Sequence, residues 1–204
     1  MNLKRLLKYI LFAALFFSTA LFAQNNADVL LKELQSKFNS LENLSADFTQ
    51  TTNGKKYLSG KIYYQKGNKL RIETKRLIIV SDGKTSWNYN KKENKVIISS
   101  YDENDPGVFS INEIVNNYPE ECDVKTEKIN DEDVLVLIPK TYTFNFNFVK
   151  IQVNEEHLIK KISFDDSSTG KTIVTFENYK LNENLPESTF SFNPPEGSKI
   201  IDLR

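Results

Sequence analysis

Short segments in which every second residue is apolar run through most of the chain, and turn residues join them. The period of two begins at Ala46, and Asn53-Gly54, Gly67-Asn68 and Asp82-Gly83 separate the first segments. Because successive side chains of a β-strand point to opposite faces, this pattern predicts an antiparallel meander of short strands. The sequence shows no βαβ alternation and no glycine-rich phosphate loop, which favours a mainly antiparallel α+β fold.

The central hairpin of this meander runs from Leu77 to Tyr89, with its turn at Ser81-Asp82-Gly83-Lys84. Glycine supplies the positive φ of such a turn, and aspartate can bond the backbone that follows it. We expect Trp87 and Tyr89 to share the face that carries Ile79. A face with two large aromatic rings needs an apolar cover, which can be a second sheet, helices or a ligand.

Two segments have helical character. Residues 25 to 43 carry Leu34, Phe38 and other apolar side chains at three- and four-residue spacing, which predicts an amphipathic helix. Ser110-Ile111-Asn112-Glu113 is a capping box, and Phe109 before it can pack on Ile114. We expect this second helix to end at Asn117 or Tyr118, because Pro119 cannot continue it.

A polar stretch follows the second helix, and four further alternating segments follow that stretch. We expect these segments to form strands from Val134 to Ile138, from Tyr142 to Val153, from Leu158 to Phe164 and from Thr172 to Tyr179.

The first 23 residues have the layout of a secretory signal peptide. Lys4, Arg5 and Lys8 precede an apolar run, and small residues lead to Ala23, where we expect cleavage. The apolar run is shorter than the ~20 residues that a membrane span needs. The residue directly after the cleavage site is Gln24 and not a cysteine that could be acylated, so we expect a soluble, unlipidated single domain over residues 24–204.

Charge and cysteine content exclude some functions. Removal of the signal peptide takes three basic residues from a balance of 27 basic and 27 acidic ones, leaving 24 against 27 and a net charge of −3. This charge argues against a nucleic-acid-binding protein. Cys122 is the only cysteine and His157 the only histidine, so we interpret Cys122 as a structural thiol and expect neither a metal site nor a cofactor.

Four short motifs, in this order behind a signal peptide, resemble the LolA family of periplasmic outer-membrane lipoprotein carriers over nearly the whole mature chain. They are Ala46-Asp47-Phe48-Thr49-Gln50, Val80-Ser81-Asp82-Gly83-Lys84 with Trp87 and Tyr89, Leu137-Ile138-Pro139-Lys140, and Phe190-Ser191-Phe192-Asn193-Pro194-Pro195-Glu196-Gly197.

The resemblance implies an unclosed, or half, β-barrel with a lid of helices over an apolar cavity. It also implies a monomeric periplasmic chaperone that takes triacylated lipoproteins from an inner-membrane ABC transporter to an outer-membrane receptor. Many members have Arg-Pro at the turn between the second and third strands, and their arginine helps to latch the lid. This chain has Lys66-Gly67 there, so Lys66 is the candidate latch, although lysine lacks the planar donor fork of arginine.

Alternation alone predicts that the apolar residues of one sheet face form ordinary core. The resemblance implies instead that the same residues bind acyl chains. The candidate acyl-chain-binding residues are Leu34, Phe38, Phe48, Ile62, Tyr64, Leu70, Ile72, Ile79, Trp87, Tyr89, Phe109, Ile114, Ile162, Phe164, Val174 and Phe176.

Three alternatives remain open. The first is a soluble periplasmic binding protein or sensor for another lipid or hydrophobic ligand on the same fold. A membrane-bound receptor of similar fold would need the lipidation cysteine that is missing here. A secreted hydrolase would have to use Asp165-Asp166 with His157, or Ser167 and Ser168, but acids beside Ser-Ser-Thr-Gly are typical of a solvated turn. We therefore expect a protein that is not an enzyme.

Overall fold

The computed structural model describes residues 26–101, 110–141, 144, 146–166 and 170–204. The predicted signal peptide lies outside the described residues, and so do Phe109, Ser167 and Ser168. Within the described part of the chain, no helix combines the length and the apolar content that crossing a bilayer requires.

Twelve strands of the described chain form one sheet. They are β1 (Asn43–Thr52), β2 (Lys55–Gln65), β3 (Lys69–Thr74), β4 (Leu77–Asp82), β5 (Thr85–Asn90), β6 (Lys95–Ser100), β7 (Cys122–Ile129), β8 (Glu132–Pro139), β9 (Phe146–Val153), β10 (Ile159–Asp166), β11 (Gly170–Leu181) and β12 (Lys199–Asp202).

The strand order is β12-β6-β5-β4-β3-β2-β1-β11-β10-β9-β8-β7, so the two edge strands do not pair with each other. Neighbours are antiparallel except for β12, which pairs with β6 in parallel. The sheet is therefore an open half-barrel, which confirms the predicted fold class. Two strands are not predicted by the sequence pattern, because β7 falls in the polar stretch and β12 has only four residues.

Helix α1 covers residues 26–40, and a second helical segment covers residues 111–121. The second segment consists of one helical residue pair, a π-helical turn at Glu113–Asn117 and an α-helical turn at Tyr118–Glu121. The capping box begins it as predicted, since Glu113 N–H donates to Ser110 Oγ at 3.2 Å. The predicted end before Pro119 is wrong, because Pro119 occupies the first turn of the α-helical part, where its missing N–H is tolerated.

The central hairpin has a tighter loop than the four residues predicted. Ser81 pairs with Ser86, so Gly83 and Lys84 alone form the loop, and Gly83 has a φ of 91°. Asp82 Oδ1 accepts hydrogen bonds from the N–H groups of Lys84 and Thr85, both at 2.8 Å. A Cβ atom on Gly83 would overlap the carbonyl oxygen of Gly67 in the adjacent turn, so glycine is required there.

The C-terminal segment covers the convex face of β3–β6. Its 3₁₀ turn at Glu187–Phe190 buries Phe190, Arg71 Nη1 donates to the Thr189 carbonyl at 3.4 Å, and the ring of Phe192 lies 5.5 Å from that of Tyr89. This face therefore has its own small apolar layer, separate from the concave side.

The predicted placement of Trp87 and Tyr89 on the concave face is wrong. Trp87 pairs with Val80 and Tyr89 pairs with Ile78, whereas Ile79 pairs with Asn88. Directly paired residues share a face, so both aromatic rings lie on the convex face. The two-residue loop sets this phase between the arms.

Candidate functional site

The concave face of the half-barrel is apolar along a row that crosses four strands. Ala46 of β1 pairs with Ile62 of β2, Ile62 pairs with Ile72 of β3, and Ile72 pairs with Ile79 of β4. On the other side of β1, Phe48 pairs with Phe176 of β11. The register thus brings apolar side chains from distant parts of the chain onto one continuous surface.

A cavity of about 190 Å³ lies on this surface. Its wall contains Phe48, Gln50, Leu58, Ile62, Ile72, Thr74, Leu77, Ile79, Val174 and Phe176. It reaches the end of the barrel that carries the β1–β2, β3–β4 and β5–β6 turns, which we call the mouth end.

The cavity wall offers no charged group and little polar chemistry. Thr74 Oγ1 donates to the Leu77 carbonyl at 3.1 Å and accepts hydrogen bonds from Arg76 N–H and Leu77 N–H. The hydrogen bonds of the β3–β4 turn thus occupy the Thr74 hydroxyl. Gln50 is the other polar side chain of the wall, and it does not take part in that turn. Such a wall suits a hydrocarbon ligand.

Two helical segments lie across the concave face and form a lid. Helix α1 contributes Leu34 and Phe38, and the segment 111–121 contributes Ile111, Ile114 and Val115, all of them buried in the same apolar cluster as the sheet. The ring of Phe38 lies 5.1 Å from that of Tyr64 on β2.

The two parts of the lid are bonded to each other through the carbonyl of Val115, which lies in the π-helical turn. Gln35 Nε2 of α1 donates to this carbonyl at 3.0 Å. On the exposed side, Asn39 and Asn116 exchange hydrogen bonds at 3.2 and 3.1 Å.

Burial raises the pKa values of three ionisable groups beside the lid. Desolvation raises the pKa values of Tyr64 and Tyr118, and for Tyr118 the nearby Glu113 adds to this effect. Burial also raises the pKa of the Cys122 thiol to about 11. Cys122 is therefore a protonated, buried structural thiol at neutral pH, as predicted from its lack of partners.

An aromatic cluster flanks the lid at its β9–β10 side. The ring of Tyr118 lies 5.2 Å from Phe144 and 5.4 Å from Phe146, and Phe146 lies 6.4 Å from Phe164. Phe164, one of the candidate residues, belongs to this cluster.

The structure divides the candidate residues into four groups. Phe48, Ile62, Ile72, Ile79, Val174 and Phe176 line the cavity. A second group lies in the surrounding apolar cluster and comprises Leu34, Phe38, Tyr64, Leu70, Ile114, Ile162 and Phe164. Trp87 and Tyr89 lie on the convex face, and Phe109 lies outside the described residues.

Sequence reasoning missed Gln50, Leu58, Thr74 and Leu77, which line the cavity near the strand ends. The sequence contained the signal for all four. Gln50, Thr74 and Leu77 each lie two residues from a candidate residue on the same strand, and Leu58 lies four residues from Ile62, so alternation places them on the same face.

Lys66, the candidate latch, contacts neither helical segment of the lid through its ammonium group among the described residues. Its Nζ lies 2.9 Å from Glu42 Oε1, in the link between α1 and β1, and its backbone N–H donates to the Glu42 carbonyl at 3.0 Å. Both side chains are largely exposed.

The residues considered for hydrolysis are not brought together. His157 lies in the β9–β10 turn and Asp165 near the far end of β10, so about 25 Å of extended chain separates them. Within the described ranges, no group of three or more His, Cys, Asp or Glu side chains could hold a metal ion.

Comparison with known proteins places this architecture in context. The family model for the outer membrane lipoprotein carrier protein LolA matches residues 39–193. A carrier protein of that name from Legionella pneumophila (strain Paris) is 27% identical over 205 residues, which cover 95% of this chain and 98% of the relative. An uncharacterized protein of Methanocaldococcus jannaschii is 30% identical over 98% of this chain, which spans 61% of that relative's length.

Solved structures with low sequence identity share the fold. An uncharacterized conserved protein of Thermus thermophilus superposes with a TM-score of 0.58 at 14% identity, over 87% of this chain and 99% of that one. MucB superposes with a TM-score of 0.51 at 11% identity, over 86% of this chain and 66% of that one.

Proposed function

Because the chain belongs to the LolA family of outer membrane lipoprotein carrier proteins, we propose that it is a periplasmic, non-catalytic carrier of lipoproteins. It takes up the acyl chains of lipoproteins released from the inner membrane and passes them to an outer-membrane receptor. The observation that carries this proposal is the uncharged apolar cavity on the concave face of the sheet.

The energetic demand on such a carrier is large. Hiding an acyl chain from water is worth ~0.8 kcal/mol per methylene, so one chain of ordinary length contributes on the order of 10 kcal/mol. A continuous wall of Ile, Leu, Val and Phe side chains meets this demand without any specific polar recognition.

The size of the cavity indicates that the lid must move during loading. About 190 Å³ is below the ~300–1,000 Å³ of sites that enclose drug-sized ligands. A triacylated anchor therefore requires the displacement of α1 and of the segment 111–121. Once displaced, the lid offers Leu34, Phe38 and Ile114 as further surface for the acyl chains.

The transport route follows from this role. The proposed signal peptide, residues 1–23, directs export, and the domain over residues 24–204 acts as a monomer. It receives triacylated lipoproteins from an ABC transporter of the inner membrane and releases them to the outer-membrane receptor.

A pair of substitutions on one strand tests the cavity. Ile79→Trp fills the cavity from β4, and Ile78→Trp adds the same bulk to the convex face of the same strand. Exclusion of two methylenes of the ligand costs ~1.6 kcal/mol, so we expect Ile79→Trp to reduce release of a labelled lipoprotein from inner-membrane vesicles about tenfold.

Ile78→Trp should release cargo as the wild type does. Equal activity of the two variants would contradict the cavity assignment. Mass spectrometry of ligands extracted from the purified wild type provides the second check, since a free lipid in place of acylated lipoprotein would indicate a different hydrophobic cargo.

A further inference from the structure

The strand pair β1–β2 extends beyond the rest of the sheet at the mouth end. Gly60 of β2 pairs with Thr74, the last residue of β3, so the part of β2 from Lys55 to Ser59 has no partner on that side among the described residues. At about 3.4 Å per residue, this arm extends roughly 17 Å past the end of β3.

The arm carries an exposed aromatic side chain at a β-bulge. Gln50 pairs with Leu58 and Thr51 with Lys56, so Tyr57 is the extra residue that has no partner on β1. Its side chain is 65% exposed, whereas Leu58 beside it lines the cavity. Bulges redirect side chains, and here the bulge turns a tyrosine outward next to the cavity wall.

Exposed basic residues surround the same end of the barrel. Lys55 and Lys56 lie on the arm, Lys75 and Arg76 form the β3–β4 turn, and Lys92 lies in the β5–β6 turn; we call these five the basic rim. The β3–β4 and β5–β6 turns are adjacent, since Lys91 N–H donates to the Arg76 carbonyl at 2.9 Å.

The members of the rim have no close counter-ion among the described residues, since none of the five forms an ion pair within 4.0 Å. Glu93, the acidic residue in the β5–β6 turn, lies 2.8 Å from Lys95, and the more distant charge of Lys92 also helps to lower its pKa. A positive surface thus persists on a protein whose basic and acidic residues balance overall.

We propose that the basic rim and Tyr57 dock the protein on the surface of a bilayer that contains anionic phospholipids, with the cavity mouth facing the membrane. The negative potential of such a surface attracts lysine and arginine, and the apolar stems of these side chains can lie against the membrane interface. Tyrosine favours the boundary between hydrocarbon and water.

The arrangement fits a bilayer better than an acidic protein. The charges follow the turns around the opening instead of forming a compact patch, and the exposed ring of Tyr57 lies on the projecting arm beside two of them. Docking of this kind would shorten the path of an acyl chain between membrane and cavity. It does not depend on which cargo the cavity holds, so it can be tested without cargo.

Vesicle co-sedimentation of the purified, exported protein tests the docking. Vesicles contain either phosphatidylcholine alone or equal parts of phosphatidylcholine and phosphatidylglycerol. We expect binding to the anionic vesicles only, weakening as salt shortens the screening length. Lys55→Gln/Lys56→Gln should weaken that binding roughly thirtyfold, and Tyr57→Ser should weaken it further when combined with them.

The matched control is Lys32→Gln/Lys84→Gln, which removes two exposed charges away from the rim. It should bind as the wild type does, and circular dichroism melts check that every variant is folded. Absence of binding to anionic vesicles, or equal loss in control and rim variants, would overturn the proposal. So would a rim variant that is impaired only in receiving lipoprotein from the transporter, because the rim would then contact a protein.

Discussion

The two halves of the concave face use the same residue types in the same cross-strand rows, yet they are packed differently. In the β8–β10 half, Ile162, Ile151 and Leu135 pair across three strands and are completely buried. In the β1–β4 half, Ile72 retains 9% exposure and Ile79 is only partly buried, and both line the cavity. The first half is core, and the second leaves room.

This difference shows how one apolar face can serve both stability and binding. A close-packed wall gains dispersion contacts on every side and has no space for a ligand. A loosely packed wall forgoes some of those contacts, and a ligand can supply them. The filled half therefore holds the sheet together while the half with the cavity remains available.

The sharpest test compares truncations in the two halves. Ile151→Ala removes a side chain with no exposure and should reduce the free energy of unfolding by about 2–5 kcal/mol. Ile79→Ala enlarges a space that already exists and removes only partly buried methyl and methylene groups, so it should cost no more than about 2 kcal/mol. Urea unfolding provides the measurement, on the condition that the free energy of unfolding depends on urea concentration with the same slope in both variants. An equal loss of stability in both would contradict the division into two halves.

The lid bond predicts a second, smaller effect. Gln35→Leu leaves the Val115 carbonyl without its donor from α1, which should cost ~1–3 kcal/mol and raise the population of open lids about tenfold. Cys122 reports the opening, because it is buried directly after the segment 111–121 and its raised pKa of about 11 leaves little thiolate at pH 8.

Alkylation of Cys122 at pH 8 should therefore be slow in the wild type and about tenfold faster in Gln35→Leu. Asn39→Ala, which removes only exposed hydrogen bonds of the lid, is the control and should change the rate much less. If the two variants react at the same rate, the bond to Val115 does not hold the lid.

The sequence predicted the parts of the fold that depend on local periodicity. Alternation and turn residues predicted the antiparallel meander, three- and four-residue spacing predicted α1, and the capping box predicted the start of the second helical segment. Each of these signals lies within a few residues of the structure that it specifies.

The errors concern relations between elements. Trp87 is predicted on the wrong face because each arm of the hairpin alternates correctly but only the loop length fixes their relative phase, and a shift by one residue moves every side chain to the other face. The bond from Gln35 to Val115 joins residues 80 positions apart, which no local pattern can reveal. The cavity differs from core only in how closely side chains of β1–β4 and β11 pack, so alternation cannot distinguish the two.

The smallest expected effect concerns Lys66, whose role as a latch stays a prediction. Its ion pair with Glu42 joins side chains that are 46% and 73% exposed, and exposed pairs of this kind contribute ~0.2–1 kcal/mol. Lys66→Ala should therefore lower the melting temperature only slightly and leave the rate of Cys122 alkylation unchanged, because Nζ contacts the α1–β1 link and the backbone bond to Glu42 persists. Glu42→Gln should reproduce this result. A rise in alkylation to the level of Gln35→Leu would instead show that Lys66 holds the lid. The lid would then be held at two places, by Lys66 in the turn between β2 and β3 and by the bond from Gln35 to Val115.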